Sequence, residues 1–210
     1  MSDSQQQLRD LAEIRGLMED ASRFLSLSGL SGVGAGAVAL MGAGLTYRYL
    51  QTQGIYAAGL AHRQQVMVSS GQLLALVGIA LLILACAVGV AAFFTLRRAR
   101  RQQKKVWTRP ARRMVLNMLI PLAAGAVFCV QLAWYGLAGL VSSTTLLFYG
   151  LALLNAGKYT FREIRYLGLS EIALGLLAGF MPGYGILFWA VGFGLLHMLY
   201  GLVMYLRYER

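Results

Sequence analysis

The chain has 210 residues, of which 58% are hydrophobic and only 13% are charged, and its net charge is +11. Ordinary soluble domains carry about 25% charged residues. The composition therefore excludes a typical soluble globular protein and predicts a chain that is solvated mainly by lipid. In such a chain, the positive charge has to be interpreted by its position relative to the membrane.

Residues 1–23 precede the first apolar stretch and predict a cytoplasmic amphipathic helix. Over residues 5–25, apolar side chains recur at spacings of three and four, as on one face of a helix: Leu11, Ile14, Met18, Ala21 and Leu25. The pattern favours a helix on the membrane surface or against its own bundle, and a short coiled-coil seam for dimerisation is the alternative. The apolar stretch that follows is too long for a cleavable signal peptide.

Six apolar stretches follow, and each predicts a transmembrane helix. They cover about residues 24–45, 72–96, 114–135, 140–154, 166–181 and 185–206. Roughly 20 residues are needed to cross the hydrocarbon core, so the fourth and fifth stretches are short. The predicted fold is all-α: a polytopic membrane bundle of six transmembrane helices with an N-terminal amphipathic helix. A re-entrant pair at one of the two tight hairpins is the alternative.

The basic residues are distributed unevenly over the connecting segments. If both termini are cytoplasmic, the inner segments hold 17 Lys and Arg residues and the outer loops hold only Arg48 and Arg63. This asymmetry predicts cytoplasmic termini by the positive-inside rule. Tyrosine and tryptophan residues near the predicted span ends are typical of an aromatic belt and agree with this topology.

Residues 97–113 form the most basic segment, predicted to be a cytoplasmic loop. Six of its side chains are predicted to contact anionic lipid headgroups: Arg97, Arg98, Arg100, Arg101, Lys104 and Lys105. Each such residue can contribute about 1 kcal/mol near an anionic surface. An acidic protein partner is an alternative, whereas the lone Trp107 argues against a stacking platform for nucleic acid.

Small residues recur at every fourth position of the first span, at Ser28, Gly32 and Gly36. This spacing allows membrane helices to approach closely. Close packing within the monomer is the favoured interpretation, and a homodimer face is the alternative.

Two ionisable residues interrupt the last two apolar stretches. Glu171 and His197 lie about 9 Å and 15 Å from the cytoplasmic edge at 1.5 Å per residue, so they can meet if these spans form an antiparallel hairpin. Unpaired burial of such groups is expensive, which makes them a candidate polar site. Further polar residues predicted in the same half of the membrane are Asn117, Tyr149, Asn155 and Ser170. A purely structural hydrogen bond is the alternative.

No catalytic or metal-binding motif accompanies these residues. The chain has no HExxH or GxSxG sequence, and Cys86 and Cys129 have no Cys or His at metal-ligand spacing. We therefore predict no enzyme activity, no cofactor and no metal site. The favoured interpretation is a structural, sensory or partner-binding bundle, and the alternative is a small transporter or proton-coupled channel that uses Glu171 and His197.

The stretches SRFLSLSGLSG (22–32) and KYTFREIRYLGLSEIALGLLAGFMPGYGILFWAVGF (158–193) resemble an uncharacterised family of small bacterial inner-membrane proteins. The likeness extends over most of the chain. It implies the fold and a multi-pass location in the bacterial inner membrane, without a known activity. The hairpin around Pro182 and Gly183 is also similar to the HdeD-like six-helix membrane proteins, some of which are linked to acid stress.

Overall fold

A computed structural model describes Gln7 and residues 27–55, 68–103 and 105–210, with the side chain of Pro182 left out. The predicted amphipathic helix at 1–23 lies outside the described residues apart from Gln7, and nothing tests it. Six helices fill the described ranges: α1 (Gly29–Thr52), α2 (Ser70–Arg101), α3 (Arg109–Trp134), α4 (Val141–Ala156), α5 (Arg162–Phe180) and α6 (Gly185–Tyr208). The predicted all-α fold is confirmed.

Five of these helices are long and apolar enough to cross a membrane. They are α1, α2, α3, α6, and α4 taken together with the short 3-10 turn Ala138–Leu140 before it. The remaining helix, α5, has 19 residues and begins with Arg162 and Glu163. Because apolar helices of this length require a hydrocarbon solvent, the chain is an integral membrane protein.

The helices pack in two groups that α6 joins. α1 lies along α2 and α6, α4 lies along α3 and α5, and α6 also contacts α4 and α5. α5 turns one face inward, because its buried residues recur at helical spacing from Glu163 through Glu171 to Ala178. This arrangement places α2 and α3, which bury few of their residues, at the periphery.

Glycines allow the closest helix crossings. A Cβ atom at Gly32 would lie 3.0 Å from the Cα of Gly201 on α6, and one at Gly150 would lie 2.7 Å from the carbonyl oxygen of Gly168 on α5. Neither crossing leaves room for a larger residue, as expected where membrane helices associate by close packing. The small residues of the first span are thus used within the monomer, and the homodimer alternative stays a prediction.

The hydrophobic core lies toward the ends of α4, α5 and α6 that carry the basic residues. Its buried members are Leu153, Ala156, Phe161, Ile164, Leu167 and Met204.

Two short turns form the hairpins. Gly136 follows α3 with a φ of +74°, a left-handed conformation that favours glycine, and Pro182–Tyr184 joins α5 to α6. The second turn holds α5 and α6 antiparallel, so that residues at one membrane depth can meet.

Candidate intramembrane polar site

Glu171 on α5 and His197 on α6 lie side by side inside the bundle. Oε1 of Glu171 is 3.4 Å from Nδ1 of His197. The Glu171 side chain is completely buried and His197 is 8% exposed. The contact predicted from their depths along the helices is confirmed.

The imidazole of His197 is held by hydrogen bonds at both nitrogens. Nδ1 lies 3.0 Å from the carbonyl oxygen of Gly192, and Nε2 lies 2.9 Å from the hydroxyl oxygen of Tyr149 on α4. Since a carbonyl oxygen can only accept, Nδ1 carries a proton, and Nε2 of the neutral ring accepts from Tyr149. In the imidazolium both nitrogens donate. The ring can therefore gain a proton and keep both partners.

The carboxylate of Glu171 has fewer hydrogen-bond partners than the imidazole. Neither of its oxygens has a hydrogen-bond partner within the described part of the chain. A buried carboxylate in that position is unfavourable unless it is neutral or paired with a cation. Two states meet this requirement: a protonated Glu171 beside a neutral His197, or an ionised Glu171 beside an imidazolium. In both states, Glu171 and His197 together hold one more proton than an ionised carboxylate and a neutral imidazole would hold.

A π-helical segment of α6, Ala190–Leu196, leads directly into His197. Within it, Gly192 supplies the carbonyl that accepts from His197 and also faces Glu171 across the helix contact. A Cβ atom at Gly192 would lie 2.5 Å from Oε2 of Glu171 and 2.5 Å from the side chain of Leu146. The absence of a side chain at Gly192 therefore admits the carboxylate, and π-turns of this kind are frequent at functional sites.

Aromatic rings extend the site along α6. The ring of Phe193 lies 4.8 Å from Trp189 and 4.8 Å from Tyr149, and it stacks on His197 at 6.0 Å with an interplanar angle of 15°. We call Trp189, Phe193, His197 and Tyr149 the aromatic column. Gly192, Trp189 and Phe193 were not among the predicted site residues, although the four-residue spacing of Trp189, Phe193 and His197 places them on one helix face.

Three predicted members of the site have other partners. Asn117 donates to the carbonyl of Arg113 at 2.8 Å, Asn155 accepts from Nζ of Lys158 at 3.2 Å, and Ser170 donates to the carbonyl of Tyr166 at 3.1 Å. Hydroxyl and amide groups in helices commonly bond locally in this way. Of the six predicted residues, the structure brings together Glu171, His197 and Tyr149, and it does not bring Asn117, Asn155 or Ser170 to them.

The basic residues predicted to contact lipid headgroups differ in their exposure. Arg97, Arg100, Arg101 and Lys105 are exposed, and Lys104 lies outside the described residues. Arg98 corrects the prediction, because its side chain is only 9% exposed and lies 3.4 Å from Oε1 of Glu209. Its guanidinium is directed into the bundle and is not available to a lipid headgroup.

Arg98 and Glu209 belong to a set of contacts that joins three helix ends. The Arg98 guanidinium donates to the carbonyl of Leu27 and, at 3.2 Å, to that of Tyr208. The Glu209 carboxylate accepts from the hydroxyl of Ser28 at 3.0 Å and from the amide of Gly29 at the start of α1. A carboxylate at a helix N-terminus is favourable because the first amides lack partners. We call Arg98, Glu209, Ser28 and Gly29 the helix-end clasp.

No three His, Cys, Asp or Glu side chains group together as metal ligands within the ranges that the structure describes. No protein-family model, no curated protein and no solved structure matches the chain. The family resemblances therefore stay predictions.

Proposed function

We propose that this integral membrane protein is proton-coupled, and that Glu171, His197 and Tyr149 form the site that binds and passes the proton. One observation carries the proposal: a fully buried carboxylate without a described hydrogen-bond partner lies 3.4 Å from a histidine that is itself hydrogen-bonded to a tyrosine. Ionisable groups inside membrane helices are costly and commonly belong to proton or ion pathways.

The three groups are arranged as a relay. A proton that reaches Tyr149 allows its hydroxyl to pass its own proton across 2.9 Å to Nε2 of His197. The imidazolium then releases the Nδ1 proton across 3.4 Å to Oε1 of Glu171. The carboxylate becomes neutral, and the ring is left neutral with its proton on Nε2. General acid and base groups in unliganded sites often stand slightly farther apart than in the reacting state.

The same transfer changes the hydrogen bonding of the π-turn. Once Nδ1 has lost its proton, it can no longer donate to the carbonyl of Gly192. The negative charge that α5 presented to α6 is removed at the same time. Protonation therefore favours a different arrangement of α6, which would allow the site to drive transport or to report the pH on one side of the membrane.

Proton movement into reconstituted vesicles tests this function. Under an imposed pH gradient, vesicles containing the native protein should acidify internally faster than empty vesicles, as reported by an enclosed pH-sensitive dye. Glu171→Gln should abolish the difference, because an amide does not exchange a proton in the relay. Ser170→Ala is the matched control on α5, since Ser170 bonds the carbonyl of its own helix. Equal rates for Glu171→Gln and the native protein would contradict the proposal.

We also propose a membrane location and a topology for the chain: six transmembrane spans in a bacterial inner membrane, with both termini in the cytoplasm. The helix-end clasp supports this topology, because it gathers the start of α1, the end of α2 and the end of α6 at one face. The exposed residues Arg97, Arg100 and Arg101 lie at that same end, and positive charge is retained on the cytoplasmic side.

The exposed basic residues suggest a lipid partner at this face. We propose that Arg97, Arg100, Arg101 and Lys105 contact anionic headgroups, since they are exposed at the end of α2 and just beyond it. Binding to vesicles with and without an anionic lipid would test this contact.

A further inference from the structure

A cavity of about 470 Å³ lies at the end of the bundle opposite the helix-end clasp. Five helices line it, through residues such as Thr46 on α1, Leu76 on α2, Ala133 on α3, Thr145 on α4 and Trp189 on α6. Its volume is in the range of cavities that hold small molecules. The cavity extends from these apolar helices to the turns at their ends, where Ile55, Ala138 and Gly183 line it.

The chemistry of the wall excludes a charged or strongly polar occupant. The described residues that line the cavity include no Asp, Glu, Lys, Arg or His. The hydroxyl groups of Thr46 and Thr145 already donate to carbonyls of their own helices, at 2.9 Å in each case. A ligand here would find apolar contacts and few hydrogen-bond partners.

The cavity is continuous with the lipid-facing surface. α2 packs along α1 and α3 packs along α4, but α2 and α3 do not pack closely on each other in the described ranges. Val77 on α2 and Val130 on α3 line the cavity and are also 47% and 67% exposed. Trp134, at the rim, is 86% exposed, which suits a residue near the membrane interface. The nearest source of an occupant is therefore the bilayer.

We propose that this cavity binds one acyl chain of a membrane lipid, which enters laterally between α2 and α3. An acyl chain is uncharged and needs no hydrogen bonds, and it is delivered by the membrane that already covers Val77 and Val130. The headgroup stays at the level of Trp134, outside the apolar wall.

The cavity is joined to the polar site by the aromatic column. Trp189 lines the cavity and lies 4.8 Å from Phe193, which in turn stacks on His197. An acyl chain in the cavity would press on the first ring of this column. An occupying acyl chain thereby regulates the relay, a step that rests on the proposed proton-coupled function.

Quenching of Trp189 fluorescence tests the cavity. Trp107→Phe and Trp134→Phe leave Trp189 as the single tryptophan, because the chain has three. In vesicles of phosphatidylcholine with brominated acyl chains, Trp189 should be strongly quenched relative to unbrominated vesicles. Ala133→Phe fills the cavity from α3 and should remove most of the quenching. Ala126→Phe adds the same ring at an exposed position of α3 and should change nothing.

The outcomes separate the two proposals. Quenching that is absent, or that persists unchanged after Ala133→Phe, would overturn the acyl-chain site. Glu171→Gln should keep the full quenching, since the cavity does not contain Glu171. Loss of proton movement in that variant with quenching retained supports both proposals, and retained quenching with no proton movement in the native protein supports the cavity alone.

Discussion

Gly192 and Glu171 lie against each other across the contact between α6 and α5, so closely that a Cβ atom on Gly192 would lie 2.5 Å from Oε2 of the carboxylate. The glycine also supplies the carbonyl that accepts from Nδ1 of His197. One backbone position thus sets the space for the carboxylate and the orientation of the imidazole.

Gly192→Ala should therefore destabilise the bundle. The added methyl group meets Glu171 and Leu146, which are both completely buried, so neither can move without disturbing its own neighbours. Overpacking of this kind costs about 1 to 3 kcal/mol. The thermal midpoint of unfolding in detergent should fall. Gly78→Ala on α2 is the control, because nothing lies within 4 Å of a Cβ atom there and its midpoint should not fall. Equal midpoints for the two variants would show that α5 and α6 can separate freely at this point.

Tyr149→Phe should slow the relay and leave the fold intact. The ring contact with Phe193 is retained, and only the hydroxyl that donates to Nε2 of His197 is removed. Loss of that hydrogen bond costs about 1 kcal/mol of stability. Proton movement in vesicles should drop strongly, whereas Tyr166→Phe, at an exposed position of α5, should match the native protein. A Tyr149→Phe variant with native rates would remove Tyr149 from the pathway and leave His197 as its outer member.

Arg98→Gln should destabilise the protein far more than Arg97→Gln. Arg98 is nearly buried, pairs with Glu209 and donates to carbonyls at two helix ends, whereas Arg97 is exposed. Removing one partner of a buried ion pair costs roughly 3 kcal/mol, because the remaining charge loses its partner. Thermal unfolding of the two variants in detergent measures the difference. Similar midpoints would mean that the helix-end clasp contributes little to stability.

Cysteine accessibility in intact cells tests the topology. After Cys86 and Cys129 are replaced by alanine, Gln102→Cys should be protected from a membrane-impermeant thiol reagent, because it follows the basic end of α2. Gln53→Cys, at the opposite end of α1, should be labelled. The reverse pattern of labelling would invert the bundle and contradict the positive-inside interpretation.

The sequence is sufficient for the properties that depend on local composition and on helical rise. Apolar stretches must match the thickness of the hydrocarbon, so the helices could be located from hydropathy. A constant rise per residue places Glu171 and His197 at similar depths, and an expensive intramembrane carboxylate predicts a partner.

The sequence is not sufficient for the rotation of each helix about its axis or for the choice of neighbour. Asn117, Asn155 and Ser170 share the predicted half of the membrane with Tyr149, yet only Tyr149 contacts His197, because depth does not specify which face of a helix turns inward. The π-turn at Ala190–Leu196 changes that rotation within α6 and has no signature in an apolar, glycine-containing stretch.

Arg98 shows the same limit for electrostatics. In the sequence, Arg98 cannot be distinguished from Arg97, because a solvated arginine and a paired arginine are the same residue type. One residue along a helix rotates a side chain by about 100°. That rotation turns Arg98 toward Glu209 and Arg97 outward. The partners of Arg98 lie 71 to 111 residues away in the chain, so which arginine is paired depends on how α1, α2 and α6 pack together.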